Sequence, residues 1–208
     1  MADGTVDGDE ILSSYFPTVK AHVFISHSHD DVDLALAFSQ WLYDCFGIEA
    51  FVDHTIWGSG DKLIRTLDNE YSFDAEKKVY NYSTRNLTTS FVHLMLASAI
   101  SKMIDTCDCL FFLNSPNSLS SDPKGNTTGS PWIFYELLMA KLLKKEEPSQ
   151  RHFSQGGRVT EGRTSFIVRQ TPPIDNLKHL TPSILNMWRQ KVHDKNPKEA
   201  LRILYDFY

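Results

Sequence analysis

The chain has 208 residues, of which 41% are hydrophobic and 23% charged, and its net charge is −5. This length suits one α/β domain with a real core and is short for two. The acidic balance argues against a nucleic-acid partner, and no apolar run approaches the length of a membrane span. The acidic N-terminus differs from a signal peptide, and Cys45, Cys107 and Cys109 lack metal-type spacing. We therefore expect a cytoplasmic protein with reduced thiols and without a membrane partner.

The pattern of apolar residues predicts a flexible lead-in over residues 1–18 and a single domain over residues 19–208, with an insertion at about 66–90. The predicted strands are HVFIS (22–26), IEAFVD (48–53), CLFFLN (109–114) and SFIVRQ (165–170). A helix that ends at Gly47 follows the first strand, and the loop HTIWGSGD, a helix at 62–70 and a helix at 90–106 follow the second. A helix from Ser130 follows the third strand, and helices near 182–192 and from Pro197 follow the fourth. Strands that are continuous apolar runs and alternate with helices predict an α/β fold. We expect a parallel sheet of four to five strands with helices on both faces.

Ligands of such sheets bind outside the carboxyl ends of the strands. The segments that follow the predicted strands are polar there. They are Ser26–His29, Asp53–Asp61 and Asn114–Pro116. These three segments are where a site is predicted.

Glu136 is the residue that fits its surroundings least. At about 100° per residue it falls in the middle of an apolar stripe that includes Trp132, Ile133 and Met139, while the lysines fall elsewhere. A charged group in that position is desolvated and needs a partner or a function. Either Glu136 pairs with a buried cation or amide, or it belongs to a site at the sheet edge.

Four stretches in this order resemble a Toll/interleukin-1 receptor (TIR) domain over roughly residues 20–145. They are VFISHS, FVDHTIWGSGDKL, CDCLFFLNSPNSL and SPWIFYELLMA. The last includes the W-x-x-x-E pair of Trp132 and Glu136. The resemblance implies a flavodoxin-like fold. TIR domains that carry this glutamate resemble enzymes that cleave NAD+, whereas adaptor-type TIR domains mostly do not use it.

The resemblance also implies roles for individual residues. Glu136 matches the catalytic glutamate, and the remaining matches are to substrate-binding positions: Ser26, His27, Ser28, His29, Asp53, Trp57, Ser115 and Trp132. The chain departs from some of these enzymes at Ser28 and His29, where they carry arginines. The insertion at 66–90 is longer than the usual segment.

The loop FISHSHDD (24–31) has more than one interpretation. Asp30 or Ser28 is predicted to cap the helix that follows, with Asp33 favouring its dipole. His27 and His29 are either turn residues or contacts to the pyrophosphate or ribose of a nucleotide. No metal site is predicted, because no further ligand lies nearby in the sequence.

Cleavage of the nicotinamide–ribose bond expels a neutral pyridine, so it needs no general acid. One ionised carboxylate can stabilise the oxocarbenium-like transition state, orient the ribose or attack it. Ser115 or a ribose hydroxyl is predicted to offset the pKa-raising effect of burial on Glu136. NAD+ is then the substrate, and no cofactor is expected.

The predicted function is therefore an NAD+ glycohydrolase or ADP-ribosyl cyclase that resembles the stand-alone bacterial TIR proteins of anti-phage systems such as Thoeris. Its product would be read by a separate effector. Trp57 lies in the loop HTIWGSGD close to Gly58 and Gly60. It is either an anchor of this loop or an exposed residue of a mobile loop that mediates self-association. The alternatives are a non-enzymatic TIR–TIR interaction module and a nucleotide transferase that uses the same pocket.

Overall fold

Short apolar strands alternate with longer helices because the apolar runs are bounded by polar caps and turn residues. The computed structural model describes residues 6–122, 125–143, 168–175 and 177–208. The helices are α1 (Gly8–Tyr15), α2 (Val32–Phe46), α3 (Asp53–Ile56), α4 (Gly60–Leu67), α5 (Tyr82–Thr106), α6 (Pro131–Leu143), α7 (Pro182–Lys191) and α8 (Pro197–Tyr205). The strands are β1 (Val23–Ser26), β2 (Ala50–Phe51), β3 (Phe73–Asp74), β4 (Val79–Tyr80), β5 (Cys109–Phe112), β6 (Ser120–Asp122) and β7 (Gly125–Thr127).

The main sheet is parallel, with the strand order β2-β1-β5 in the described part of the chain. This confirms an α/β architecture with a parallel sheet. The predicted second strand is shortened to two residues, because a helical turn begins at Asp53. Residues 165–167 of the predicted fourth strand lie outside the described residues, and Gln170 at its end makes an isolated bridge to Thr128.

Helices cover both faces of this sheet, as predicted. Side chains alternate along β1, so that Val23 and Ile25 pack against α2, α7 and α8, while Phe24 packs on the opposite face against α1, α4 and α5. The first face is centred on Trp188, whose ring stacks on Phe46 at 3.9 Å between centroids. Each face therefore has its own apolar core.

Within the predicted lead-in, residues 6–18 are described and include helix α1. Asp7 caps α1 by accepting hydrogen bonds from the two backbone N–H groups of Asp9 and Glu10. Phe16 follows α1 and is buried in the second core against Trp57. An apolar anchor after a capped helix holds this segment on the domain.

The insertion at 66–90 consists of four pieces. The end of α4 runs into a π-helical turn, Asp68–Ser72, and then into an antiparallel hairpin of β3 and β4. The start of α5 completes it. A second antiparallel hairpin, β6 with β7, occupies part of the segment that the sequence predicts to be a loop.

Helix α5 has 25 residues and is long and apolar enough to cross a membrane by length and composition. The expectation that no stretch approaches that length is therefore wrong. Its C-terminal half packs Ala99, Ile100 and Met103 into the second core, and 28% of its most apolar window is buried.

Candidate active site at the carboxyl edge of the sheet

The carboxyl ends of β1, β2 and β5 meet at one edge, and β1 lies between the other two. The backbone N–H of Leu113 donates to the carbonyl of Ser26 at 2.9 Å, which holds the ends of β1 and β5 together. In parallel sheets a crevice opens where the strand order changes direction, here beside β1. The loops that follow Ser26 and Leu113 border this crevice.

Glu136 reaches this edge from α6. Its side chain is 5% exposed, and the flanking Ile133 and Leu137 are buried too, which confirms the predicted position on the apolar face. The hydroxyl of Ser26, itself fully buried, donates to Oε2 of Glu136 at 2.6 Å. The prediction that Ser115 supplies this hydrogen bond is wrong, because the hydroxyl at the end of the central strand is the one that reaches the carboxyl.

The environment of Glu136 favours its neutral form. Burial raises the pKa of this carboxyl to about 8, the hydrogen bond from Ser26 opposes that rise, and the negative charge of Asp53 adds to it. In the free protein at neutral pH the carboxyl therefore holds its proton most of the time. A positive charge placed beside it would favour ionisation.

His27 links the ends of β1 and β2. Its Nδ1 lies 3.0 Å from the carbonyl oxygen of Ile25, and its Nε2 lies 3.7 Å from Oδ1 of Asp53. The side chain of His27 is 4% exposed, whereas that of Asp53 is 45% exposed. Asp53 also accepts a hydrogen bond from the backbone N–H of His54 at 2.7 Å. Asp53 is thus the open side of the cluster.

Ser28 and His29 lie on the rim. The backbone carbonyl of Ser28 accepts from the N–H of Asp31 at 2.9 Å, but its side chain makes no capping hydrogen bond. The N-cap position of α2 is Asp31, also without a side-chain cap, so the predicted cap by Asp30 or Ser28 is wrong. His29 packs edge-on against His54, with ring centroids 5.2 Å apart. The structure therefore brings histidines from two loops together at this rim.

Asp31 is a buried residue that the sequence interpretation gave no site role. Its Oδ2 accepts from the hydroxyl of Ser115, and its Oδ1 accepts from Nδ2 of Asn117 at 2.8 Å. It joins the loop after β1 to the loop after β5. Its position after two histidines at a strand end was the available signal.

Trp132 and Trp57 lie in different surroundings from each other. Trp132, one turn before Glu136, is half-buried and packs edge-on against His93 at 5.6 Å between centroids. Trp57 is 8% exposed and packs against Phe16 and Phe51, while its Nε1 donates to the carbonyl of Pro17 at 2.9 Å. The expectation that Trp57 is exposed and mobile is wrong, since residues 16 and 17 cover it.

Two cavities lie away from the carboxyl of Glu136. A largely apolar groove of about 910 Å³ follows β5 and includes Ser115, and a cavity of about 310 Å³ lies at the insertion. Glu136 lines neither of them.

Thiol and metal chemistry find no support among the described residues. The three cysteines are free, and burial raises the pKa of Cys107 to about 12 and that of Cys109 to about 11, so both remain protonated thiols. No group of three or more His, Cys, Asp or Glu in that part of the chain could hold a metal ion. The buried carboxyl is the group on which a chemical function can be built.

Comparison with known proteins gives no relative: no family model, no curated protein and no solved structure matches the chain.

Proposed function

We propose that the chain is a TIR-type enzyme that cleaves the nicotinamide–ribose bond of NAD+ and transfers the ADP-ribose part. The observation that carries the proposal is Glu136, a carboxyl 5% exposed at the ligand edge of a parallel sheet and hydrogen-bonded by Ser26. A flavodoxin-like sheet of four to five strands is part of the same proposal. The parallel sheet of β2, β1 and β5, with helices on both faces, supports it.

Cleavage of the nicotinamide–ribose bond requires few catalytic groups besides this carboxyl. The leaving group departs as a neutral pyridine, so the reaction needs no proton donor, and positive charge develops on the ribose. A carboxylate in a dry pocket stabilises that charge more strongly than it would in water. Ser26 holds the carboxyl of Glu136 in one orientation, which reduces reorganisation at the moment of bond cleavage.

The protonation of Glu136 couples catalysis to substrate binding. Its pKa of about 8 keeps it neutral in the free protein, and the pyridinium of bound NAD+ is a cation that favours the ionised form. The substrate thus generates the charge that its own transition state needs. An isolated buried carboxylate is costly, and this arrangement avoids one until the site is occupied.

The neighbouring residues fit roles in substrate binding. Asp53 is exposed enough to accept hydrogen bonds from ribose hydroxyls, and His27 is fixed against it. His29 and His54 on the rim can contact the pyrophosphate. Trp132, one turn before Glu136, forms one wall of the proposed substrate pocket. Trp57 and Ser115 have other partners, so we assign them to support of the surrounding loops.

The cellular part of the proposal rests on the TIR resemblance alone. The chain would act in the cytoplasm in bacterial anti-phage defence, self-associate through TIR–TIR contacts, and make a cyclic or otherwise modified ADP-ribose signal for a separate effector. The buried Trp57 offers no surface for that self-association, so other residues would have to form the contacts.

The test is release of nicotinamide from NAD+ by the purified protein, with the other product identified by mass spectrometry. Glu136→Gln is nearly isosteric and should lower the rate on the order of a hundredfold. Glu76→Gln removes an exposed carboxylate from a hairpin turn and is the matched control, expected to keep the wild-type rate. Circular dichroism establishes that both variants are folded.

Two outcomes would overturn the proposal. A folded Glu136→Gln variant that cleaves NAD+ at the wild-type rate would remove the glutamate from the chemistry. A wild-type protein that releases no nicotinamide, yet self-associates, would favour the non-enzymatic interaction module instead.

A further inference from the structure

The insertion forms a small, half-open cavity with charged and polar side chains that the proposed NAD+ site does not use. Its volume is about 310 Å³, and the residues that line it are Arg65, Asp68, Asn69, Tyr80 and Arg85. They come from the end of α4, the π-helical turn, the hairpin and the start of α5. Turns of π-helix inside helices are frequent at functional sites.

Asp68 is the buried carboxylate that orients the side chains around this cavity. It is 3% exposed, its Oδ2 accepts from Nε of Arg85 at 3.0 Å, and its Oδ1 accepts from the hydroxyl of Thr88 at 2.5 Å. Burial tends to raise the pKa of Asp68, but the hydrogen bonds from Thr88 and Arg85 outweigh it and hold the pKa below its usual value. The carboxylate is therefore a permanent anion that orients Arg85.

Arg85 is held on a second side by an aromatic ring. Its guanidinium carbon lies 5.1 Å from the centroid of Tyr80, whose hydroxyl donates to Oδ1 of Asn69 at 2.6 Å. Because Nε bonds Asp68 and the plane rests on Tyr80, the terminal amino groups of the guanidinium are pre-oriented rather than freely rotating. Pre-orientation of this kind lowers the entropy lost on binding an oxyanion.

A second guanidinium completes the positive charge. Arg65 lies three residues before Asp68 and lines the same cavity with an exposed side chain. Glu70, the next carboxylate along the chain, does not line this cavity. The lining therefore holds two cations against one carboxylate, and that carboxylate is already satisfied by Arg85 and Thr88.

We propose that this cavity binds the phosphate group of a small phosphorylated ligand between Arg65 and Arg85. Paired guanidinium groups match the oxygens of a phosphate in charge and in bidentate geometry. The cavity has room for a phosphate or pyrophosphate and its hydration. The site gives the insertion a role as a sensor of phosphorylated metabolites, and it is independent of whether Glu136 cleaves NAD+.

The test is isothermal titration calorimetry of the full chain with inorganic phosphate and with pyrophosphate, in a chloride buffer of low ionic strength. Arg65→Gln should weaken binding on the order of tenfold or more. Arg189→Gln removes the same charge from an exposed position on α7 and should leave the affinity unchanged. Titration of Glu136→Gln, expected to bind like wild type, separates this site from the NAD+ site.

Arg85→Lys adds a second measurement that keeps the charge but removes the planar fork. We expect its affinity for pyrophosphate to fall about as far as that of Arg65→Gln, because a lysine cannot bond Asp68 and the ligand in the same geometry. No heat of binding with wild type, an unchanged affinity in Arg65→Gln, or an equal loss in Arg189→Gln would each overturn the proposal.

Discussion

Glu136 and Asp68 are two carboxyls that the fold hides almost equally, at 5% and 3% exposure, yet their surroundings differ. Glu136 lies among apolar side chains with one neutral donor, Ser26, and with the charge of Asp53 near it. Asp68 lies just beneath the surface, with the guanidinium of Arg85 and the hydroxyl of Thr88 bonded to it. The pKa of Glu136 is raised and that of Asp68 is lowered.

The difference shows that exposed area alone does not decide the state of a buried carboxyl. The number and charge of its donors decide whether the group holds its proton or stays an anion. Asp68 is a fixed charge that organises its neighbours. Glu136 is a carboxyl whose charge depends on what occupies the site.

Removing the single donor of Glu136 should give the largest effect. Ser26→Ala deletes a hydrogen bond that favours the ionised carboxyl, so the pKa of Glu136 should rise further. On the proposed mechanism, NAD+ cleavage at neutral pH should fall about tenfold or more, since a charge-assisted hydrogen bond contributes about 1.5–3 kcal/mol. The rising limb of the pH–rate profile should move to higher pH. Ser90→Ala on the exposed side of α5 is the control, and a profile that stays in place would contradict the assignment.

The dependence of stability on pH should separate the two carboxyls next. Glu136 has a folded pKa of about 8 against 4.5 for its reference state, so the folded protein holds a proton that the unfolded chain has lost. Its contribution to stability is complete below the unfolded pKa and is lost as pH rises through the folded pKa, by about 1.4 kcal/mol per pH unit. Denaturant unfolding of wild type and Glu136→Gln between about pH 5 and pH 8 checks this. Parallel curves for the two proteins would be the contrary result.

Removing Asp68 should cost stability rather than activity. Asp68→Ala removes the acceptor of the Ser72 hydroxyl and one of the two acceptors of the Thr88 hydroxyl, and it frees Arg85. The expected cost is about 1–3 kcal/mol of unfolding free energy. This contribution is present above the unfolded pKa and is lost as pH falls through the lower folded pKa, the opposite sign to Glu136. Chemical denaturation is the measurement, with Asp44→Ala on α2 as an exposed control. Equal stability of the two variants would mean that Asp68 does not hold the insertion.

The smallest expected effect is that of Asp53→Asn. Its charge raises the pKa of Glu136 from a partly solvated position, so its loss should lower that pKa by a fraction of a unit. Carbon-13 NMR of the glutamate carboxyls follows the titration directly. Glu76→Gln removes a distant charge and should leave the midpoint in place. An upward movement in Asp53→Asn would show that the hydrogen bonds of Asp53, and not its charge, control Glu136.

The main strands of the sheet and the burial of Glu136 could be predicted from the sequence, because both follow from the pattern of apolar residues. The burial of Glu136 follows from its angle on α6, and β1 and β5 follow from short apolar runs between polar segments. The same patterns predict that Glu136 and the ends of β1 and β5 lie at one edge of a parallel sheet. Periodicity could not tell which hydroxyl would reach Glu136, because Ser26 ends β1 and Ser115 follows the neighbouring strand β5, so the sequence predicts both at the same edge of the sheet.

Long-range contacts account for what the sequence did not predict. Trp57 between small polar residues has the pattern of an exposed loop, and its burial depends on Phe16 and Pro17 some forty residues earlier. Asp68 lies in a polar, tyrosine-rich segment without clear periodicity. Its partner Arg85 is separated from it by a hairpin whose strands have two residues each, which is too short for a pattern to show.

The segment over Trp57 bears on where this domain can be shortened. Tyr15 accepts a hydrogen bond from the N–H of Gly58 at 3.0 Å, and a Cβ on Gly58 would lie only 2.8 Å from the Tyr15 ring. A side chain at position 58 would therefore require the Tyr15 ring to move. A protein shortened to begin at residue 19, the boundary that the pattern of apolar residues predicts, would lose Phe16 and Pro17 and uncover Trp57. The shortened protein would expose an apolar surface, and its aggregation through that surface would resemble self-association.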